Sequence, residues 1–141
     1  MQEYLEFARN NPLLFAGFSA VLGLIVWTEF GRISRKYNML PVSNAVRLIN
    51  DEKTVIVDVR EENEIDDGII QGAKHIPLGN LETRITELDK FKTAPIVVYC
   101  RTGNRSGGAC RTLTAAGFEN VNNLEGGVIA WETANLPLAK R

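Results

Sequence analysis

Seven consecutive residues of the sequence combine a cysteine, a glycine and two arginines, a combination suited to nucleophilic chemistry. They read CRTGNRS, from Cys100 to Ser106. The residues before them, Ile96 to Tyr99, are β-branched or aromatic, which is typical of a short buried strand, and a helical pattern follows Gly103. Cys100 is therefore predicted to lie where a strand becomes a loop, the edge at which open α/β sheets bind their ligands.

The surroundings of Cys100 favour a reactive thiolate. Gly103 tolerates a positive φ, so consecutive backbone N–H groups can converge on one point, and a helix beginning near Ser106 would direct its positive end to the same point. Arg101 and Arg105 add two full charges. A cysteine in such a site has a lowered pKa and reacts as a thiolate near neutral pH. The alternative is that Cys100 is a small buried apolar residue, as most free cysteines are.

The rest of the chain predicts the elements that hold this loop in place. Val55 to Val59 is a continuous apolar run of the kind found in strands that are buried on both faces of a parallel sheet. Strands alternating with helices indicate an α/β domain with a mostly parallel sheet covered on both faces. Further strands are predicted at 73–77 and 121–124, and helices at 44–50 with Ser43 as the N-cap, at 61–67, 81–91 and 106–116, and from 128 onward.

An uncharged apolar stretch, residues 10–28, precedes this domain. As a helix it would be about 28 Å long, close to the thickness of the hydrocarbon core of a bilayer. Trp27 lies at its far end, where aromatic side chains favour the membrane interface. The prediction is an N-terminal segment, 1–30, with a single transmembrane helix over about residues 11–29. Acidic residues before the stretch disfavour a cleaved signal peptide, and its apolarity on every face disfavours a core helix.

Basic residues follow the apolar stretch. Residues 31–38 are predicted to form a linker, whose Arg32, Arg35 and Lys36 place this side of the helix in the cytoplasm by the positive-inside rule. The globular domain is predicted over residues 39–141. A cytoplasmic position agrees with the two cysteines, whose number and spacing do not resemble a disulfide framework.

Composition argues against several other functions. The 141 residues carry a net charge of -1 and a pI of about 5.9, so no basic field indicates a nucleic-acid partner. His75 is the single histidine, which leaves little for a zinc site or a cysteine–histidine hydrolase. Cys110, in the helix after the loop, is expected to serve packing; a resolving role toward Cys100 is the alternative.

Three blocks of residues share the order and spacing of a known family. The blocks are Asp58-Val59-Arg60-Glu61 with Glu64, Gly68, Ile70, Gly72, Ala73, Ile76 and Pro77; the loop from Cys100 to Ser106; and Leu124-Glu125-Gly126-Gly127 with Trp131, Leu136 and Pro137. Together they cover about residues 40–138 and resemble the rhodanese-like family of sulfurtransferases. With its apolar N-terminal stretch, the chain looks like the membrane-anchored single-domain bacterial proteins of that family.

The resemblance implies a doubly wound α/β domain in which Cys100 attacks the outer sulfur of a small anionic donor, such as thiosulfate or a persulfide. The resulting persulfide on Cys100 would pass its sulfur to cyanide or to a thiol acceptor, which a protein could carry. No metal or organic cofactor is required. The resemblance also implies a place at the bacterial inner membrane, with the domain on the cytoplasmic side.

Within this scheme the loop binds the donor and two residues outside it give support. Backbone N–H groups would stabilise the thiolate and then the persulfide, and either Arg101 or Arg105 would hold the anionic oxygens of the donor. Asp58 and Arg60 close the neighbouring strand and are expected to brace the loop as structural residues. The substrate-binding residues are predicted to be Arg101, Thr102, Gly103, Asn104, Arg105 and Ser106.

Two other functions compete with sulfur transfer. Cysteine-dependent phosphatases resemble a histidine–cysteine pair followed by five residues and an arginine, whereas here Tyr99 precedes Cys100 and four residues separate it from Arg105. That spacing argues against phosphatase chemistry. The second alternative is a membrane-anchored binding module in which Cys100 is not essential, and it is motivated by a membrane helix that a soluble sulfur carrier would not need.

Overall fold

The computed structural model describes residues 2–33 and 35–140. The chain divides into two compact units, residues 1–35 and 36–141. Three residues lie outside the described ones: Met1 of the predicted N-terminal segment, Ser34 of the predicted linker and Arg141 of the predicted domain.

The first unit consists of two helices, α1 (Gln2–Asn10) and α2 (Pro12–Ile33). Within α2, the 20 residues Pro12–Gly31 have a mean hydropathy of 1.9 and none of this span is buried. Its length and composition are sufficient to cross a membrane. Residues 31–33, which were predicted to begin the linker, continue α2 as helix.

The second unit is built on a five-stranded sheet, counted over the described residues. The strands are β1 (Asn38–Leu40), β2 (Val55–Asp58), β3 (Lys74–His75), β4 (Pro95–Tyr99) and β5 (Asn120–Leu124). Their order is β1-β5-β4-β2-β3, and each of these neighbouring pairs is parallel. The strand that ends next to Cys100, β4, therefore lies at the centre of the sheet.

Helices cover both faces of this sheet. On one face α5 (Asn104–Ala115), α4 (Leu81–Arg84) and the 3-10 helix Ile85–Phe91 pack on Val55, Val57, Ile96 and Val98. On the other face α3 (Val42–Ile49) and α6 (Gly127–Thr133) pack on Ile56, Val97, Tyr99 and Leu124. Alternate residues of the central strands are thus buried on opposite faces, as a doubly covered parallel sheet requires. The predicted α/β class with a mostly parallel sheet is confirmed.

Two short elements differ from the prediction near the start of the domain. The edge strand β1 was not predicted, because its three residues begin with an exposed Asn38 and are too few to show a strand pattern. The helix α3 begins at Val42, two residues before the predicted start, so Ser43 lies inside it. The N-cap is Pro41, which makes no side-chain capping hydrogen bond. The predicted N-cap at Ser43 is therefore wrong.

Two predicted helices are replaced wholly or partly by 3-10 helix. The segment predicted as helix over 61–67 contains one 3-10 turn, Glu62–Glu64, closed by a capping box between Glu61 and Glu64. The segment predicted over 81–91 begins as α4 and continues as 3-10 helix. Ile85, Leu88 and Phe91 recur every three residues and join the same core cluster, which matches the three residues per turn of a 3-10 helix.

Candidate active site

Cys100 follows directly on the central strand β4, at the carboxyl end of the sheet. It is 1% exposed, so its backbone and most of its side chain are covered by protein. The chain then turns at Gly103, which has φ 98° and is the N-cap of α5. A side chain at that φ would be strained, and glycine avoids this cost. The predicted order of strand, cysteine, tight turn and helix is observed, and the helix begins at Asn104, two residues earlier than predicted.

The sulfur of Cys100 lies among hydrogen-bond donors. The backbone N–H of Gly103 donates to Sγ at 3.1 Å, and the hydroxyl of Ser106 lies 3.3 Å from Sγ. Burial is the largest influence and raises the pKa of Cys100, but hydrogen bonds from the Ser106 hydroxyl and from the N–H groups of Ser106, Gly103 and Thr102 together outweigh it. The net effect is a lowered pKa, which favours the nucleophilic thiolate.

The loop is held in this shape by the start of α6. The N–H of Val128 donates to the carbonyl of Cys100 at 2.9 Å, and the N–H of Ile129 donates to the carbonyl of Arg101 at 3.2 Å. Gly127 permits this approach, because a Cβ at that position would lie 2.5 Å from both carbonyl oxygens. These two hydrogen bonds fix the peptide groups that follow Cys100 and Arg101, directly before the N–H of Gly103 that donates to the sulfur.

Ser106 is fully buried and has a second partner that the sequence did not reveal, Asn123 of β5. The Ser106 hydroxyl donates to Asn123 Oδ1 at 2.6 Å, and Asn123 Nδ2 donates to the carbonyl of Gly103 at 3.0 Å. One signal could have pointed to it: two consecutive asparagines, Asn122 and Asn123, stand between two apolar residues of the strand. A buried amide needs hydrogen-bond partners, so such a residue marks a polar neighbour.

The two arginines of the loop differ in their surroundings. Arg105 forms a bidentate ion pair with Glu64, at 2.6 Å and 2.7 Å, so its guanidinium is already occupied by a carboxylate. This hydrogen bond is the main cause that lowers the pKa of Glu64 to about 2, and the pair is therefore charged at neutral pH. Arg101 is exposed and forms no ion pair with the residues that the structure describes.

Asp58 and Arg60 form a buried ion pair beside the loop, at 2.6 Å. The remaining donors of the Arg60 guanidinium bind two backbone carbonyls, those of Glu64 at 3.0 Å and Gly68 at 2.8 Å. Neither residue contacts the sulfur in these hydrogen bonds. They support the loop indirectly, through Glu64. Arg60 donates a hydrogen bond to the backbone carbonyl of Glu64, and the carboxylate of Glu64 binds Arg105.

The other predicted residues of the loop, Thr102 and Asn104, are exposed at its surface. Cys110 is buried in α5, where burial raises the pKa of its thiol to about 12, so it is protonated at neutral pH. His75 contacts the carbonyl of Arg60 at 2.7 Å and the carboxylate of Glu62 at 3.0 Å. Among the described residues, no group of three or more His, Cys, Asp or Glu side chains is arranged to hold a metal ion.

Comparison with known proteins adds to this geometry. The family described as Rhodanese-like domain matches residues 42–134. The uncharacterized protein YibN of Escherichia coli K12 is 32% identical over 141 residues, which is 99% of each chain. A protein of Allochromatium vinosum named sulfurtransferase is 39% identical over 92 residues, 65% of this chain and 84% of its own. The crystal structure of a rhodanese-related protein from Thermoplasma volcanium superposes with a TM-score of 0.67 at 27% identity, over 74% of this chain and 100% of that one.

Proposed function

We propose that this chain, which belongs to the rhodanese-like family, is a sulfurtransferase that carries sulfur as a persulfide on Cys100. The observation that supports this most is the environment of the sulfur. Cys100 Sγ accepts a hydrogen bond from the Gly103 N–H and lies beside the Ser106 hydroxyl, at the carboxyl end of the central strand. Donors placed in this way stabilise negative charge on sulfur without moving during the reaction.

In the first step the Cys100 thiolate attacks the outer sulfur of a donor such as thiosulfate or a persulfide. A new S–S bond forms to Sγ, the bond between the two donor sulfurs breaks, and with thiosulfate the leaving group is sulfite. The electron pair of the broken bond leaves with the sulfite, and the outer sulfur of the new persulfide keeps the negative charge that it carried in thiosulfate. No proton is transferred, so this covalent catalysis needs a thiolate but no general base.

In the second step a nucleophilic acceptor attacks the outer sulfur of the persulfide. Cyanide would leave as thiocyanate, and a thiolate would leave as a persulfide. In both cases the Cys100–sulfur bond breaks and its electron pair restores the Cys100 thiolate. The N–H of Gly103, which donates to Sγ, stabilises this leaving group.

Arg101 is the arginine that we assign to the anionic donor. Arg105 is bound through both of its terminal nitrogens by Glu64, whereas Arg101 is exposed at the loop. A guanidinium matches two oxygens of a sulfonate-like group in the same way as it matches a carboxylate. Replacing Arg101 by Gln should raise KM for thiosulfate, while the maximum rate with a persulfide donor, which has no sulfonate oxygens, stays the same.

The direct test is the mass of the intact protein after anaerobic treatment with thiosulfate. One added sulfur atom is expected on the full chain, absent from Cys100→Ser and retained by Cys110→Ser. The two cysteines are both buried and lie in adjacent elements, so Cys110→Ser is a matched control. A wild-type chain that gains no sulfur from thiosulfate or from a glutathione persulfide would contradict the proposal and leave a binding role for the domain.

We further propose that α2 holds this domain at the cytoplasmic face of the inner membrane of a bacterium. Support comes from its apolar 20-residue span and from the basic Arg35 and Lys36 that follow. The full chain should sediment with membranes, and protease added outside intact spheroplasts should leave the domain uncut. Digestion of the domain in intact spheroplasts would place it on the opposite face.

A further inference from the structure

Asn123 is a buried side chain whose amide is engaged at both ends by the reactive loop. It is 2% exposed and its Nδ2 donates to the carbonyl of Gly103 at 3.0 Å. This contact fixes the orientation of the amide, since a carbonyl oxygen accepts only from the NH₂ end. Oδ1 therefore faces Ser106, and the hydroxyl 2.6 Å away must donate to it.

The Ser106 hydroxyl has a second neighbour, Cys100 Sγ, at 3.3 Å. A hydroxyl carries a single hydrogen and two lone pairs. While Cys100 is a thiol, the three groups form a chain in which S–H donates to Oγ and O–H donates to Asn123. When Cys100 loses its proton to solvent, the sulfur becomes an acceptor, and two acceptors then compete for one hydrogen.

We infer that Asn123 is a positioning residue for the nucleophile: by holding the Ser106 hydrogen, it limits how strongly that hydroxyl stabilises the anionic sulfur of Cys100. The inference rests on the proposed function, because it concerns the same thiolate and persulfide. A thiolate that is stabilised less is more basic, and nucleophilicity of thiolates rises with basicity.

The competition also changes as the sulfur is loaded. In the persulfide the negative charge lies on the outer sulfur, so Sγ is a weaker acceptor than in the free thiolate. The Ser106 hydrogen can then return to Asn123 Oδ1, which is buried and otherwise lacks this partner. Asn123 therefore destabilises the free thiolate more than it destabilises the persulfide, and this difference favours the loading step.

Other groups around the sulfur do not explain this effect. Arg105 and Cys110, both on α5, interact electrostatically with Cys100. Arg105 is paired with Glu64, and Cys110 stays protonated at neutral pH. The hydrogen bonds of Asn123 do not involve either of them.

A double-mutant cycle on the full chain tests the inference. The pH dependence of alkylation of Cys100 by iodoacetamide is measured by mass spectrometry of its peptide, which separates it from Cys110. The variants are Asn123→Val, which keeps a strand-forming residue, Ser106→Ala, and both together. In the chain that keeps Ser106, Asn123→Val should lower the midpoint of Cys100 alkylation. This shift should be about one pH unit larger than the shift that Asn123→Val causes in the Ser106→Ala background, which is a tenfold difference in ionisation. Equal shifts in the two backgrounds would overturn the inference.

The neighbouring Asn122 supplies the control. It is 4% exposed in the same strand and donates to the carbonyl of Ile96 at 3.1 Å, away from the loop. Asn122→Val should leave the Cys100 midpoint unchanged. A readout that needs no variant is nitrogen NMR of the wild type, in which the side-chain NH₂ of Asn123 should titrate with Cys100 and that of Asn122 should not. An Asn123 signal that does not move across the midpoint would also overturn the inference.

The same preparations separate this inference from the proposed function. Sulfur loading from thiosulfate is measured by intact mass and does not depend on the cycle. If the protein gains sulfur but Asn123→Val shifts the midpoint equally in both backgrounds, only the role of Asn123 is refuted. If the two shifts differ as expected but no sulfur is gained, only the sulfur transfer is refuted.

Discussion

The carboxylate of Glu64 holds the guanidinium of Arg105 by two parallel hydrogen bonds, of 2.6 Å and 2.7 Å. The pair joins the 3-10 turn after β2 to the first turn of α5. It therefore fixes the direction of the Arg105 side chain. Of the two arginines in the loop, Arg105 is the one that has an ion pair among the described residues.

Glu64→Gln should lower the free energy of unfolding at neutral pH by about 1 kcal/mol, a value reduced for the screening of a partly exposed pair. The pKa of Glu64 is lowered to about 2 by Arg105, so the stabilisation is fully present above the carboxyl pKa of the unfolded chain and is lost as the pH falls. The difference between wild type and variant should vanish between about pH 5 and pH 2. Urea unfolding across this range measures it, and a difference that persists at the acid end would contradict the ion-pair account.

Glu64→Gln should also change donor use. The substitution removes the carboxylate charge that occupies Arg105, so the guanidinium becomes available to an anionic donor. KM for thiosulfate should fall severalfold while Cys100 keeps its hydrogen bonds to Gly103 and Ser106. Steady-state kinetics show whether this occurs, with Glu87→Gln, in the exposed pair with Arg84, as the control. An unchanged KM would mean that Arg105 does not reach the donor even when released.

The two cysteines should differ in reactivity at neutral pH. Hydrogen bonds lower the pKa of Cys100 despite its burial, whereas burial raises the pKa of Cys110 to about 12. Iodoacetamide should therefore modify Cys100 first, with a rate that rises through a midpoint below that of an ordinary thiol. Peptide mapping after brief alkylation gives the two rates. Faster labelling of Cys110 would show that the loop does not stabilise a thiolate.

Gly127→Ala should abolish sulfur loading or reduce it more than tenfold. The new Cβ would meet the carbonyl oxygens of Cys100 and Arg101 at 2.5 Å, and α6 would have to move away from the loop. Gly72→Ala is the matched control, because Gly72 also has a positive φ, of 81°, with nothing within 4 Å of the added Cβ. That variant should lose about 1 kcal/mol of stability from backbone strain and load sulfur normally. Equal loading by both variants would contradict the role given to α6.

Asp58→Asn should destabilise the domain by about 3 kcal/mol, because it leaves the charge of Arg60 buried without a counter-ion. Asp58 is 0% exposed and Arg60 is 4% exposed, so water cannot replace the lost carboxylate. Chemical denaturation of the variant measures the loss. The exposed pair of Arg84 and Glu87 offers a comparison in which removal of the carboxylate should have no measurable effect.

The parts of the site that were predictable depend on neighbours in sequence. A short apolar strand, a cysteine, a glycine turn and a helix occupy consecutive positions, so local pattern predicts the place of Cys100 and the turn at Gly103. The covering of both faces of the sheet by helices follows from the alternation of strands and helices along the chain. These features need no knowledge of which strands become neighbours.

The parts that were not predictable depend on pairing across the fold. Glu64 lies 41 residues from Arg105, and Asn123 lies 17 residues from Ser106, so no local pattern connects them. The ordering β5-β4-β2 brings them to the same edge of the sheet. The prediction that Arg105 binds the donor was based on its charge alone. The sequence does not show that Glu64, in the turn after β2, forms an ion pair with this guanidinium.

The hydrogen bonds from Val128 and Ile129 to the loop carbonyls leave little freedom in the backbone around Cys100. In the proposed reaction, loading would add one sulfur atom to Cys100 while this backbone keeps its shape. The loaded and unloaded states would then differ only at the sulfur. An acceptor would have to distinguish them by direct contact with that atom.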